Sequence, residues 1–237
     1  MRLSMVVNMD PSLEPEIRRA SFHEELEAAE TALLSEGSVV ARQLELVMDA
    51  VERQDLGLAH DVIAGDDEVD RIYLENEERI LNLLALQAPV ARDLRLVSAI
   101  LHSNLHLERM GDLCVNIAKF VRNDHSYPAD SPMVSRLQEM GARLAEMLEV
   151  TLSAFAQRSQ TLAEELPERD LVLNRLNRGM LDDLKAYAGD EEAFEWATNI
   201  VLVARYLERF GDHCVDVGEQ ISFLVTGVFR EFTDASK

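Results

Sequence analysis

Glu108 and Asp112 stand one helical turn apart, Glu208 and Asp212 do the same, and Asp66 and Asp70 repeat the spacing upstream. Carboxylates at i and i+4 share one face of a helix. Contributed by two neighbouring helices, such pairs make a cage of hard oxygen donors suited to Fe, Mn, Mg, Ca or Zn, with aqua or hydroxo ligands completing the shell. The spacing is unfavourable for an isolated helix, since like charges one turn apart repel by about 0.2–0.5 kcal/mol. Gly111 and Gly211, each inside a Glu-Arg-x-Gly-Asp signature, cost roughly 1 kcal/mol more than alanine would. Helix stability therefore does not explain why the signature occurs twice. A glycine there lowers the side-chain wall, so that a neighbouring helix or a ligand can come close. Spacing alone leaves a second reading open: a solvated acidic face on which Arg109 and Arg209 pair with adjacent carboxylates.

The elements that position these pairs follow from an internal repeat. Leu107–Val115 recurs as Leu207–Val215 with seven of nine residues identical at an offset of 100. Upstream, Leu58, Ala59, Val62, Asp66, Asp70 and Arg71 match Leu162, Ala163, Leu166, Asp170, Asn174 and Arg175 at an offset of 104. The change of offset needs only a shorter turn in the second copy, and turns are where deletions are tolerated. Punctuation divides each copy into three helices. The first is expected over about 21–52, the second from an Asp55 cap to about Leu86, and the third from Pro89 to about Arg122. Residues 124–132, with two prolines and small polar residues, read as a linker. The fourth helix is expected over 133–158, and Ser159 is a candidate cap for the fifth, which Pro167 must kink or delay. Gly189 and Asp190 supply a stop and a cap before a last helix running to about Phe232. The result is an all-α chain of two tandem antiparallel three-helix bundles: a leader over 1–18, a first unit over 19–123 and a second over 133–237.

Leu96, Ile100, Ser103, Leu107, Met110, Cys114, Ile117 and Val121 recur at spacings of three and four, as do Ile200, Val203, Leu207, Phe210, Cys214, Val217 and Ile221. That is the seam of a packed bundle. The two cysteines of the chain fall on it and read as small core residues, too few for a disulfide framework or a thiolate metal site. The pairs Glu108/Asp112, Glu208/Asp212 and Asp66/Asp70 lie off the seam, on the outer flank.

Composition narrows the function classes. The 237 residues carry a net charge of −21, with 10 glycines and 6 prolines. Such a chain is repelled by phosphate backbones and by anionic lipid, which argues against nucleic acid and against direct membrane adsorption. Acidic surfaces suit cations and basic protein partners. The longest apolar runs are too short to span a bilayer, and the first residues lack the apolar stretch of a signal peptide, so a flexible leader on a cytosolic protein is expected.

Several ordered motifs together carry a resemblance. Phe22-His-Glu-Glu-Leu26, Asp66-Asp-Glu-Val-Asp70, Leu84-Ala-Leu-Gln-Ala-Pro89, Asp93-Leu-Arg95, Leu107–Asp112, Asn116–Lys119 and Leu207–His213 are similar to the PhoU family of phosphate-uptake regulators over about 19–229. The resemblance implies a non-enzymatic regulator, often dimeric, that represses the phosphate-starvation response when phosphate is plentiful. It implies contact with a phosphate-sensing histidine kinase and with the ATPase subunit of a phosphate ABC transporter at the inner membrane face. It also implies one multinuclear metal cluster (Fe, Zn, Mn or Mg) per bundle, held by Asp66, Asp70, Glu108 and Asp112 in the first and by Asp170, Glu208 and Asp212 in the second. Asn174 departs from the pattern where the first copy has Asp70. It removes one anionic ligand, so the first site is expected to bind metal more tightly. Asn116 and Asp216 stand as peripheral candidates, and His213 reads chiefly as a surface histidine.

Two rivals remain. A di-iron oxidase or ferritin-like store uses Glu-x-x-His on core-facing helices, and none of the six histidines has Glu three residues before it. A plain helical adaptor would use the acidic faces for docking basic partners, with metal incidental.

Overall fold

The computed structural model describes residues 14–123 and 131–232. They form helices α1 (Glu14–Arg53), α2 (Leu56–Gln87), α3 (Ala91–Asn123), α4 (Pro132–Gln157), α5 (Gln160–Leu184) and α6 (Glu191–Thr226), with a short 3₁₀ turn, Lys185–Tyr187, after α5. Caps fix the corners as the sequence suggests. Asp55 accepts hydrogen bonds from the backbone N–H groups of Gly57 at 2.8 Å and Leu58 at 3.1 Å. Ser159 accepts from Leu162 N at 3.3 Å, and Asp190 from Ala193 N at 3.1 Å. Each satisfies donors that the first helical turn leaves free.

Four boundaries differ from expectation. The leader assigned to 1–18 lies outside the described residues up to 13, and its remaining part is already helical in α1. The linker assigned to 124–132 lies outside them up to 130; Ser131 caps α4 and Pro132 opens it, where a missing N–H is harmless. The start of α5 is not delayed by Pro167. The proline sits inside the helix and frees the Ala163 carbonyl, which faces Gly218 of α6 so closely that a Cβ at Gly218 would lie 3.3 Å from that oxygen. Finally, α6 stops at Thr226 rather than near Phe232, because Gly227 takes a left-handed φ of 75° and donates its N–H to Phe223 O at 2.8 Å.

Within each repeat the three helices pack on one another, and the repeats join along α1–α4 and α3–α6. Both predicted seams are core: Ile100, Leu107, Met110, Cys114, Ile200, Val203, Leu207 and Cys214 are all buried, and one hydrophobic cluster runs through both bundles. The cysteines are free, and burial pushes both thiols well above the usual range, which withholds the thiolate needed for nucleophilic work.

Candidate functional site

In the first repeat, Asp66 and Asp70 on α2 and Glu108 and Asp112 on α3 form one acidic ridge where the two helices pack. Gly111 permits the approach: a Cβ there would lie 3.2 Å from Gln43 Oε1 and 3.3 Å from Val69 Cγ1. The four carboxylates feel one another. Burial, then the charges of Asp70 and Asp112, raise the Asp66 pKa to about 6, with Lys119 pulling the other way. Glu108 is raised too, first by burial and then by Asp112, with Arg109 opposing. The Arg109 guanidinium contacts Glu108 Oε2 at 3.3 Å and Asp112 Oδ2 at 3.1 Å.

Beneath this ridge lies a carboxyl that sequence reasoning missed. Glu36 of α1 is fully buried, and neither of its oxygens has a hydrogen-bond partner. Burial, followed by the charge of Glu108, pushes its pKa up to about 9, so it is a neutral acid at physiological pH. Its only sequence signal is a polar residue at a core position of α1.

The second repeat builds its ridge differently. The expectation of an outer flank fails for Glu208, which is 6% exposed, and Asp170 is buried beside it at 9%. Gly211 is the reason, since it lets α5 lie over α6 closely enough that a Cβ there would meet Leu173 Cδ1 at 2.7 Å and Asp170 Oδ1 at 2.9 Å. Asp212 stays exposed. Asn174 donates its side-chain N–H to Asp170 Oδ2 at 2.5 Å. The guanidinium in ion-pair contact with Glu208 belongs to Arg205, one turn earlier than sequence reasoning suggested. Burial, then Asp212, raise the Glu208 pKa against the opposing charge of Arg205.

The structure thus brings the sequence-predicted residues together as two ridges. Their chemistry fits a hard cation: crowded oxygen donors whose repulsion bound positive charge would relieve, and a buried Glu208 Oε2 without a hydrogen-bond partner. The ridge oxygens still need side-chain rotation to share one ion, because among the described residues only His106, His213 and Asp216 hold three ligand atoms within 4.8 Å of one another. Asp216 was a peripheral candidate in sequence, whereas His213 read chiefly as a surface histidine and is in fact largely covered. His106 was invisible there, because its partners lie on the other repeat.

Comparison with known proteins follows the same outline. A family model described as the PhoU domain matches twice, over residues 33–121 and 137–221. The chain is 31% identical over 218 residues to the phosphate-specific transport system accessory protein PhoU homolog of Clostridium acetobutylicum, covering 91% of this chain and 99% of that one. It is 31% identical over 207 residues to the phosphate-specific transport system accessory protein PhoU of Serratia marcescens, covering 87% and 85%. Among solved structures, PhoU from Pseudomonas aeruginosa matches with a TM-score of 0.81 at 30% identity, covering 87% of this chain and 100% of that one. The phosphate transport system regulatory protein PhoU from Streptococcus pneumoniae matches with a TM-score of 0.79 at 26% identity, covering 89% and 100%.

Proposed function

The chain belongs to the PhoU family, and from that premise we propose that it is a non-enzymatic regulator of phosphate transport, an adaptor between a phosphate ABC transporter and a phosphate-sensing histidine kinase. The observation that carries this reading is the family match through both repeats, together with relatives that are named transport accessory proteins and are matched over nearly their full length. In this reading the protein works in the cytoplasm as a homodimer, reaches the inner membrane face through protein partners, and represses the starvation response in high phosphate. No helix among the described residues is long and apolar enough to cross a membrane.

The same reading gives each ridge a metal. Asp66, Asp70, Glu108 and Asp112 hold one cation or cluster, and Asp170, Glu208 and Asp212 hold a second more weakly. A cation there supplies positive charge that offsets the crowding raising Asp66, Glu108 and Glu208. The protein's part is to orient the oxygens, with Arg109 and Arg205 holding their neighbours in place.

Deletion of the gene tests the regulatory role. Phosphate-starvation genes should switch on in high phosphate, and a strain in which they stay silent would contradict the proposal. A pull-down against the kinase and the transporter ATPase tests the adaptor role, and capture of neither would contradict it.

A further inference from the structure

The contact of α3 with α6 joins the first repeat to the second, and three side chains converge there: His213 and Asp216, one turn apart on α6, and His106 from α3. His106 Nδ1 lies 3.1 Å from His213 Nδ1. Asp216 Oδ2 lies 3.4 Å from the first nitrogen and 3.5 Å from the second. The rings are tilted by 48° with centroids 5.3 Å apart, so they meet through their nitrogens rather than face to face. The two histidine side chains are only 20% and 19% exposed, while Asp216, at 44%, opens the group to solvent.

Hydrogen bonding accounts for only one edge of this triangle. One N–H···N bond can join the two nitrogens, but both nitrogen–oxygen separations exceed the usual N–H···O range of about 2.7–3.2 Å. A tetrahedral ion accounts for it well. Ligands bound at about 2.0–2.1 Å with tetrahedral angles stand about 3.3–3.4 Å from one another, close to all three edges. We propose that His106, His213 and Asp216 form a binding site for a divalent first-row transition ion, of which Zn²⁺ fits the donor set and spacing, and that the ion staples the two repeats together.

Two further observations support the site. The donor set of two nitrogens and one carboxylate differs from the all-oxygen ridges and suits transition ions over Mg²⁺. Duplication did not supply it: the positions offset by 100 from His106, His213 and Asp216 are Tyr206, Leu113 and Asn116, and a buried Leu113 cannot ligate. The site is therefore particular to one end of the joint between repeats. Three protein ligands leave a fourth position for water or for a side chain from a partner.

The test is a Co²⁺ titration of chelator-treated, tag-free protein, followed by Zn²⁺ displacement and a thermal melt with and without Zn²⁺. Wild type should bind one equivalent with the intense visible absorption of a four-coordinate, nitrogen-containing site, and Zn²⁺ should raise its Tm. His106→Gln and His213→Gln should each lose that absorption and show a smaller Zn²⁺-dependent shift while keeping the helical circular dichroism of wild type. Asp112→Ala and Asp212→Ala, which alter only the ridges, should keep the absorption. Retention of the absorption in either folded histidine variant overturns the site, as does its absence from wild type. Should one glutamine variant fail to fold, the other decides.

Discussion

The two acidic ridges occupy equivalent places in the two repeats, yet one exchanged side chain sets their carboxylates in different company. In the first, Asp66 faces Asp70 across one turn and is crowded further by Asp112, which with burial lifts its pKa to about 6. In the second, the residue matching Asp70 is Asn174, whose amide donates to Asp170 at 2.5 Å. Exchanging a carboxylate oxygen for an N–H turns repulsion into a hydrogen bond. The first ridge therefore keeps its repulsion, while the second has eased part of its own. Duplication copied the scaffold, and one substitution set the copies on different courses.

The largest expected effect concerns Glu36, which has no counterpart in the second repeat: among the described residues α4 buries no carboxylate. A carboxyl with a folded pKa of about 9 and an unfolded value of 4.5 takes up a proton on folding across that window. Its contribution is complete below the lower value and is lost as pH rises through the higher. Stability should therefore fall with rising pH, by up to about 1.4 kcal/mol per unit for one whole proton. Asp66, half exposed, adds a smaller change of the same sign up to pH about 6. Glu36→Gln should flatten the urea-unfolding profile between about pH 5 and 8 by about 1–3 kcal/mol in total, and an unchanged slope would place the titration elsewhere.

Converting one ridge into the other comes next. Asn174→Asp should destabilise the metal-free protein by about 2 kcal/mol, through loss of a charge-assisted hydrogen bond and new repulsion. Saturating Mg²⁺ should recover much of that. The reverse change, Asp70→Asn, acts at an exposed position and should stabilise the metal-free protein by about 0.5 kcal/mol. If both variants shift stability in the same direction, the contrast between the ridges is broken.

The glycines give a smaller contrast. A Cβ at Gly211 would meet Leu173 and Asp170 at 2.7 and 2.9 Å, whereas one at Gly111 meets its neighbours only at 3.2 and 3.3 Å. Gly211→Ala should cost about 1–2 kcal/mol in chemical denaturation. Gly111→Ala should stay within about 1 kcal/mol of wild type, because the gain in helix propensity offsets the tighter fit.

Much of the scaffold was legible in the sequence, because helix seams and caps are local signals. The spacing of Leu107, Met110 and Cys114 marked a core face, Asp55, Ser159 and Asp190 marked corners, and the offset to Asn174 flagged the one changed carboxylate position between the ridges. What escaped depends on distance across the fold. The burial of Asp170 and Glu208 follows from how far α5 slides over α6, which Gly211 permits but periodicity cannot measure. Glu36 breaks the apolar pattern of α1, and His106 meets its partners only because α3 and α6 dock in one particular register. Gly227 was a readable stop that the apolar residues after it obscured.

Mg²⁺ titration calorimetry of chelator-treated, tag-free protein tests the inequality of the ridges most directly, because Mg²⁺ prefers oxygen donors and leaves the histidine group aside. Two classes of site are expected, the tighter abolished by Asp112→Ala and the weaker by Asp212→Ala. Equal affinities, a reversed assignment, or no Mg²⁺ uptake at either ridge would contradict it.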